Sequence, residues 1–306
     1  MELEVIISFA VFFVGIGFVV KGSDLFVAAA TRVAKGLGVS EFIIALVLAS
    51  IATTLPEITT SVIASFYGNS GIALGNAVGS VLVNIALILG LCALIMPLKV
   101  DDVAWKNSIF LAFTTLYAWI LMLDFEISRL EGFTLVLVYL LYLYYLYKKH
   151  VSFGRFEPQG KVKRDVLLLF GSGLFIVFGA RIVVSSAVEI AANFGVSEAV
   201  IGLTLVAIGT SLPELANSLV ATLKKVHNIS VGNIIGACII NVLVVIGLAS
   251  LVKPISVDPG IFSFSTPLAI LLTIILTISL KKDNIVGRKT ATTFLVLYAI
   301  FIYLQI

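Results

Sequence analysis

The sequence predicts an all-α membrane protein of ten transmembrane helices, built as two inverted five-helix repeats with broken helices 2 and 7 in the core. Three observations carry this prediction. The chain is 60% hydrophobic and only 12% charged. Its apolar runs have membrane-spanning length. An internal repeat keeps glycines, prolines and polar residues in one register.

A soluble domain carries roughly twice this charge, and the mean hydropathy is +1.16. A spanning helix takes about 20 residues, so the 306 residues hold about ten spans and no sizeable soluble domain. The start, Met1-Glu2-Leu3-Glu4, lacks the positive segment of a cleaved signal peptide, so the first span is expected to stay in the mature protein. Cys92 and Cys238 lie in apolar runs and read as small buried hydrophobes. His150 and His227 lie beside lysines at span ends and read as solvated loop residues. No aromatic-interleaved basic patch points to a nucleic-acid partner.

Apolar runs bounded by Gly, Pro and charge clusters place the spans near 4–31, 40–67, 71–96, 105–123, 130–147, 165–192, 197–223, 229–252, 260–280 and 289–305. The halves then align at a constant offset of 157 residues. Gly38-Val39-Ser40-Glu41 matches Gly195-Val196-Ser197-Glu198, and Leu55-Pro56-Glu57 matches Leu212-Pro213-Glu214. Gly75, Asn76, Gly79, Asn84, Pro97 and Asp101 match Gly232, Asn233, Gly236, Asn241, Pro254 and Asp258. Chance apolar similarity aligns leucines and valines, not these residues. The expected organisation is a first repeat over 1–147, a basic linker over 148–164 and a second repeat over 165–306.

Five spans per half is an odd number, so the second half enters from the opposite side and the repeat is inverted. Charge sets the orientation. With the N-terminus outside, sixteen of the 20 Lys and Arg residues fall inside, and only Arg129 and Lys253 fall outside. Lys21 and Arg181 lie within spans. Both termini are thus expected outside and the linker in the cytoplasm. Lys21 and Asp24 are three apart on one helix and are expected to pair locally.

The chemistry concentrates in spans 2 and 7. Span 2 contains Thr53-Thr54-Leu55-Pro56-Glu57, and span 7 contains Thr210-Ser211-Leu212-Pro213-Glu214. Proline inside a helix removes a donor and clashes with the preceding turn, so each helix is expected to break there. Thr53, Thr54, Thr210 and Ser211 are placed to cap the new start. The break is expected to free carbonyls over Ser50–Thr53 and Ala207–Thr210, which at membrane depth is tolerable only where they line a cavity or bind something. An unpaired ionised carboxylate there costs several kcal/mol. Glu57 and Glu214 are therefore expected to meet near the midplane as one all-oxygen cation site, whose two charges and ligand count suit Ca²⁺ better than Mg²⁺. Spans 3 and 8 add glycines four apart, read as close helix contacts, with Ser80, Asn84 and Asn241 as polar groups for the same interior. Two glutamates in one chain distinguish this from a channel, which uses an acidic ring, usually in an oligomer. The peripheral histidines argue against an intramembrane enzyme.

On these motifs the chain resembles the Ca²⁺/cation antiporter superfamily, most closely its small prokaryotic sodium/calcium exchanger branch. Duplicated Thr-(Ser/Thr)-Leu-Pro-Glu followed by Gly-Asn-x-x-Gly-(Ser/Ala) is a specific signature, and the similarity covers the whole chain. The resemblance implies a core of helices 2, 3, 7 and 8 and a sliding pair, helices 1 and 6. It implies that Glu57 and Glu214 are the Ca²⁺ carboxylates, with Thr53 and Thr210 giving carbonyl and hydroxyl oxygens. Ser50 and Ala207 would offer carbonyls to flanking sites, and Thr54, Ser211, Ser80 and Asn84 would complete the polar shell. Sodium-coupled members usually have serine where this chain has Ala237, and aspartate where it has Asn241. That leaves two carboxylates as the only core acids, and two protons neutralise them as one Ca²⁺ does. Exchange of Ca²⁺ for H⁺ is the expectation, with Na⁺ as the alternative counter-ion. No cofactor is expected, and a monomer in a prokaryotic cell membrane suffices.

Overall fold

The computed structural model describes residues 2–150, 161–193, 209 and 211–305. It is a bundle of long helices joined by short turns. Helix α1, Glu2–Leu37, ends at Gly38, whose φ of +62° closes the helix with the Val39 amide donating to the Ala34 carbonyl. Helix α2, Glu41–Thr53, starts at Ser40, whose hydroxyl accepts from the Ile43 amide. Helix α3, Leu55–Phe66, follows at an angle of 47° across Thr54. The bend falls where Pro56 deprives the Ala52 carbonyl of its helical donor.

The first half continues through α4, Ser70–Ile95, β1, Leu98–Lys99, α5, Val103–Leu121, β2, Glu126–Ile127, and α6, Arg129–His150. The second half begins with α7, Lys161–Asn193, and resumes with α8, Leu212–Leu223, and α9, His227–Val252. It ends with β3, Ile255–Ser256, α10, Ile261–Asp283, β4, Ile285–Val286, and α11, Arg288–Gln305. The strands pair antiparallel, and always across the halves: Leu98 with Val286, and Ile127 with Ile255.

Among the described residues five helices, α1, α4, α6, α9 and α10, are long and apolar enough to cross a membrane, and the bent pair α2–α3 makes a sixth. The outer surface is correspondingly apolar. Phe13 is 64% exposed, Phe66 70% and Leu167 73%, a surface that lipid solvates and water does not.

Two cores hold the bundle. The larger joins α4, α5, α6, α9 and α10 around Leu82, Leu89, Leu111, Ile239 and Leu276. The smaller joins α1, α2, α7 and α8 around Phe26, Val33, Ala49 and Leu169. Helices α1 and α7 lie along each other, with Gly22 against Ile176 and Gly179 against Phe18 and Val19.

The expected local pair Lys21–Asp24 is replaced by a longer reach. Asp24 takes Lys224 at 2.6 Å, which ties α1 to the end of α8. Arg32 pairs with Asp165 at 2.8 Å within the α1–α7 pair. His227, expected in solvent, is partly buried at the start of α9, and its Nδ1 accepts from the Lys99 amide at 3.2 Å.

Candidate cation-binding site

Glu57 stands in the first turn of α3 and Glu214 in the first turn of α8, each directly after its proline. Both side chains are fully buried, and the two carboxyls are close enough to interact electrostatically. Each stands at a helix start, where the first amides lack helical acceptors.

The hydroxyls before the prolines do not cap these helices: neither Thr54 nor Ser211 makes a side-chain cap bond. They cross instead. Thr54 Oγ1 donates to Glu214 Oε1 at 3.2 Å, and Ser211 Oγ donates to Glu57 Oε1 at 3.4 Å. Donation to a carboxylate makes a charge-assisted bond, and both hydroxyls orient towards the opposite helix. Thr53 also lies within range of the Glu214 carboxyl, and its hydroxyl meets Asn233 Oδ1 at 3.3 Å.

Among the described residues the second oxygen of each glutamate has no partner, and neither polar atom of Asn84 or Asn241 has a hydrogen-bond partner. All four side chains are fully buried. Buried polar groups are otherwise almost always satisfied, so this set marks a place where water or an ion belongs. Cys238 is fully buried on α9. Asn241 follows Cys238 by one helical turn on the same face. No group of three or more His, Cys, Asp or Glu gathers among the described residues. A cation here would take two carboxylates and then neutral oxygens, a donor set for hard cations.

Other expected ligands fall differently. The Ser50 carbonyl is not free, since it accepts the Thr54 amide at 2.9 Å. The Ser50 hydroxyl turns back to the Leu46 carbonyl at 2.6 Å. Ser80 is buried on α4. Ala207 and Thr210 lie outside the described residues. Gly232 and Gly236 do serve close contact: a Cβ on Gly236 would sit 2.2 Å from the Leu46 carbonyl oxygen, and one on Gly232 2.6 Å from that of Phe42. The partners that the repeat implies for Gly75 and Gly79 fall around 199–207, largely outside the described residues.

The sequence reading passed over Asn76, Ser61, Asn217 and Ser218. Asn76 Nδ2 donates to the Glu57 carbonyl at 3.2 Å and to Ser61 Oγ at 2.9 Å, bracing the turn that carries the glutamate. The repeat held the signal, because Asn76 aligns with Asn233 and Ser61 with Ser218. The reading also passed over π-helical turns at Ala45–Ala49, Val83–Leu89 and Asn241–Val245, two of which carry Asn84 and Asn241. Such turns recur at functional sites and leave no clear mark in hydropathy.

The chain matches the sodium/calcium exchanger protein family twice, over residues 7–148 and 165–306, and belongs to that family. It is a multi-pass membrane protein of a transporter family. It is 31% identical to the sodium/calcium exchanger MaX1 of Methanosarcina acetivorans, over 97% of each chain. It is 26% identical to the Ca²⁺/H⁺ antiporter ChaA of Bacillus subtilis, over 80% of this chain and 78% of that one. A structure of the sodium-calcium exchanger NCX_Mj superposes with a TM-score of 0.88 at 32% identity, covering 98% of this chain and 99% of that one.

Proposed function

We propose that this chain is a secondary active Ca²⁺/cation antiporter, not an enzyme, working by alternating access at Glu57 and Glu214. The observation that carries the reading is the crossed pair of buried glutamates, each in the first turn of its helix with one oxygen unpartnered among the described residues. Two buried negative charges are costly alone, so the site has two satisfied states: one Ca²⁺, or the equivalent charge in monovalent cations. Because both use the same carboxylates, occupancy by one excludes the other, and that exclusion couples the two fluxes. Family membership supports the same reading.

The counter-ion in this proposal is H⁺. With Asn241 and Ala237 where sodium-coupled members usually carry aspartate and serine, two protons account for the two core carboxylates. The sodium alternative draws on the similarity to MaX1 and NCX_Mj, both sodium/calcium exchangers. Ca²⁺-45 uptake into proteoliposomes separates them. A pH gradient without Na⁺ should drive uptake, whereas uptake driven only by a Na⁺ gradient would overturn the proton assignment. Glu57→Gln and Glu214→Gln should each abolish exchange, and full activity in either would reject the site.

The proposed architecture is ten spans in two inverted repeats, both termini outside, in a prokaryotic cell membrane. Exchanging the halves carries β1–β4 onto β3–β2, and carries the Thr54–Glu214 contact onto Ser211–Glu57. β1 and β4 follow the third and ninth spans, and β2 and β3 the fourth and eighth. Each strand pair thus joins loops that the span count puts on one side.

A further inference from the structure

A cleft of about 480 Å³ opens on the outer face between α5 and α6, well away from the glutamates. Its α5 wall carries Lys106, Phe110 and Phe113, and its α6 wall carries Leu141, Tyr145 and Lys149. These positions repeat every three or four residues, so each set lines one helix face. The floor is rigid. Phe110 stacks on Tyr142 with centroids 4.0 Å apart, and Tyr142 Oη donates to Asn107 Oδ1 at 2.5 Å.

The cleft is polar at one end only. The two lysines stand at the start of α5 and the end of α6, which run antiparallel, so both lie at one mouth. Lys149 Nζ bonds Tyr145 Oη at 2.6 Å, and Lys106 shares the Trp105 ring face with Lys281. Among the described residues no acidic side chain lines the cleft, and none of these three lysines makes an ion pair. From Lys106 to Phe113 the walls run about 10 Å along the helix axis, and they are apolar. Phe113 is 66% exposed and Leu141 58%.

We infer that this cleft is a binding site for one anionic phospholipid of the leaflet in which Lys106 and Lys149 lie. The ammonium groups take the headgroup phosphate, and an acyl chain fills the groove below. A free phosphate would leave the apolar walls bare, and a neutral lipid would leave the paired positive charges unmatched.

Native mass spectrometry tests this on the full chain released from vesicles of equal phosphatidylglycerol and phosphatidylcholine. The wild-type protein should retain phosphatidylglycerol preferentially. The Lys106→Gln/Lys149→Gln variant should lose that preference by about thirtyfold, the factor two surface lysines supply. Lys253→Gln, at the far end of the bundle, should keep it. Leu141→Trp fills the groove and should lower retention of both lipids. Equal retention of the two lipids by the wild type, or an unchanged preference in the double lysine variant, would overturn the assignment. So would full retention by Leu141→Trp, displacement of the lipid by millimolar inorganic phosphate, or a second copy of the chain in its place.

Discussion

The two hydroxyls that precede the prolines serve the opposite helix and not their own. Thr54 and Ser211 stand where a capping residue stands, yet each donates to the opposite glutamate. A hydrogen bond to a charged group contributes about 1.5–3 kcal/mol. Thr54→Ala should therefore raise the Ca²⁺ concentration for half-maximal uptake about tenfold or more, while Thr54→Ser keeps it. Wild-type affinity in Thr54→Ala would show that the crossed contact has no part in binding. Asn241→Asp tests the counter-ion at the same scale. It adds a carboxylate one helical turn beyond Cys238, so Na⁺-driven Ca²⁺ uptake should appear or increase relative to pH-driven uptake. The glutamates were legible in the sequence because each follows a proline inside an apolar run, twice at one offset. Their crossing was not, because spacing along a chain does not say which hydroxyl faces which carboxylate.

Among the elements, the bent pair α2–α3 and helix α9 set the geometry of the site. Gly236 lets α9 approach α2 until a Cβ would meet the Leu46 carbonyl oxygen at 2.2 Å and Ser50 Oγ at 2.6 Å. Backbone cannot yield as a flexible side chain does. Gly236→Ala should cost about 1–3 kcal/mol or more, read as a lowered midpoint of thermal unfolding in detergent. Gly71→Ala, with nothing within 4 Å among the described residues, should leave the midpoint unchanged. The helix break at Pro56 was readable from covalent chemistry. The fate of the neighbouring carbonyl was not: Ser50 was expected to present a free oxygen, and the Thr54 amide reaches it across the bend.

For the molecule as a whole, the repeat and the charge bias make a sided prediction. Single cysteines at Asp124 and Asp283, in a background lacking Cys92 and Cys238, should react with an impermeant thiol reagent from opposite faces of the membrane. The Asp124 site should label from outside. Labelling of both from one face would overturn the inverted arrangement. The Asp24–Lys224 pair belongs to this scale because it joins the α1–α7 pair to the end of α8, the helix that carries Glu214. Both its side chains are well exposed, and exposed pairs add little. Asp24→Asn should leave thermal stability unchanged within error while altering the exchange rate, since α1 must move past α8 if the pair slides.

The sequence by itself determined the membrane class, the repeat register, the helix break at Pro56 and the two carboxylates. Each of these is a local or periodic property: apolar length, a fixed offset, a missing amide proton, an ionisable group inside a span. Only the tertiary structure decided that Thr54 and Ser211 serve the opposite glutamates, that Asp24 takes Lys224, and that Gly236 seats α9 on the Leu46 carbonyl. It also decided that Asn84 and Asn241 are buried without hydrogen-bond partners among the described residues. Those facts join residues about 150 to 200 positions apart or depend on how completely their surroundings close. Distance in space between far-separated residues, and which polar groups the packing leaves unsatisfied, are set by how helices cross.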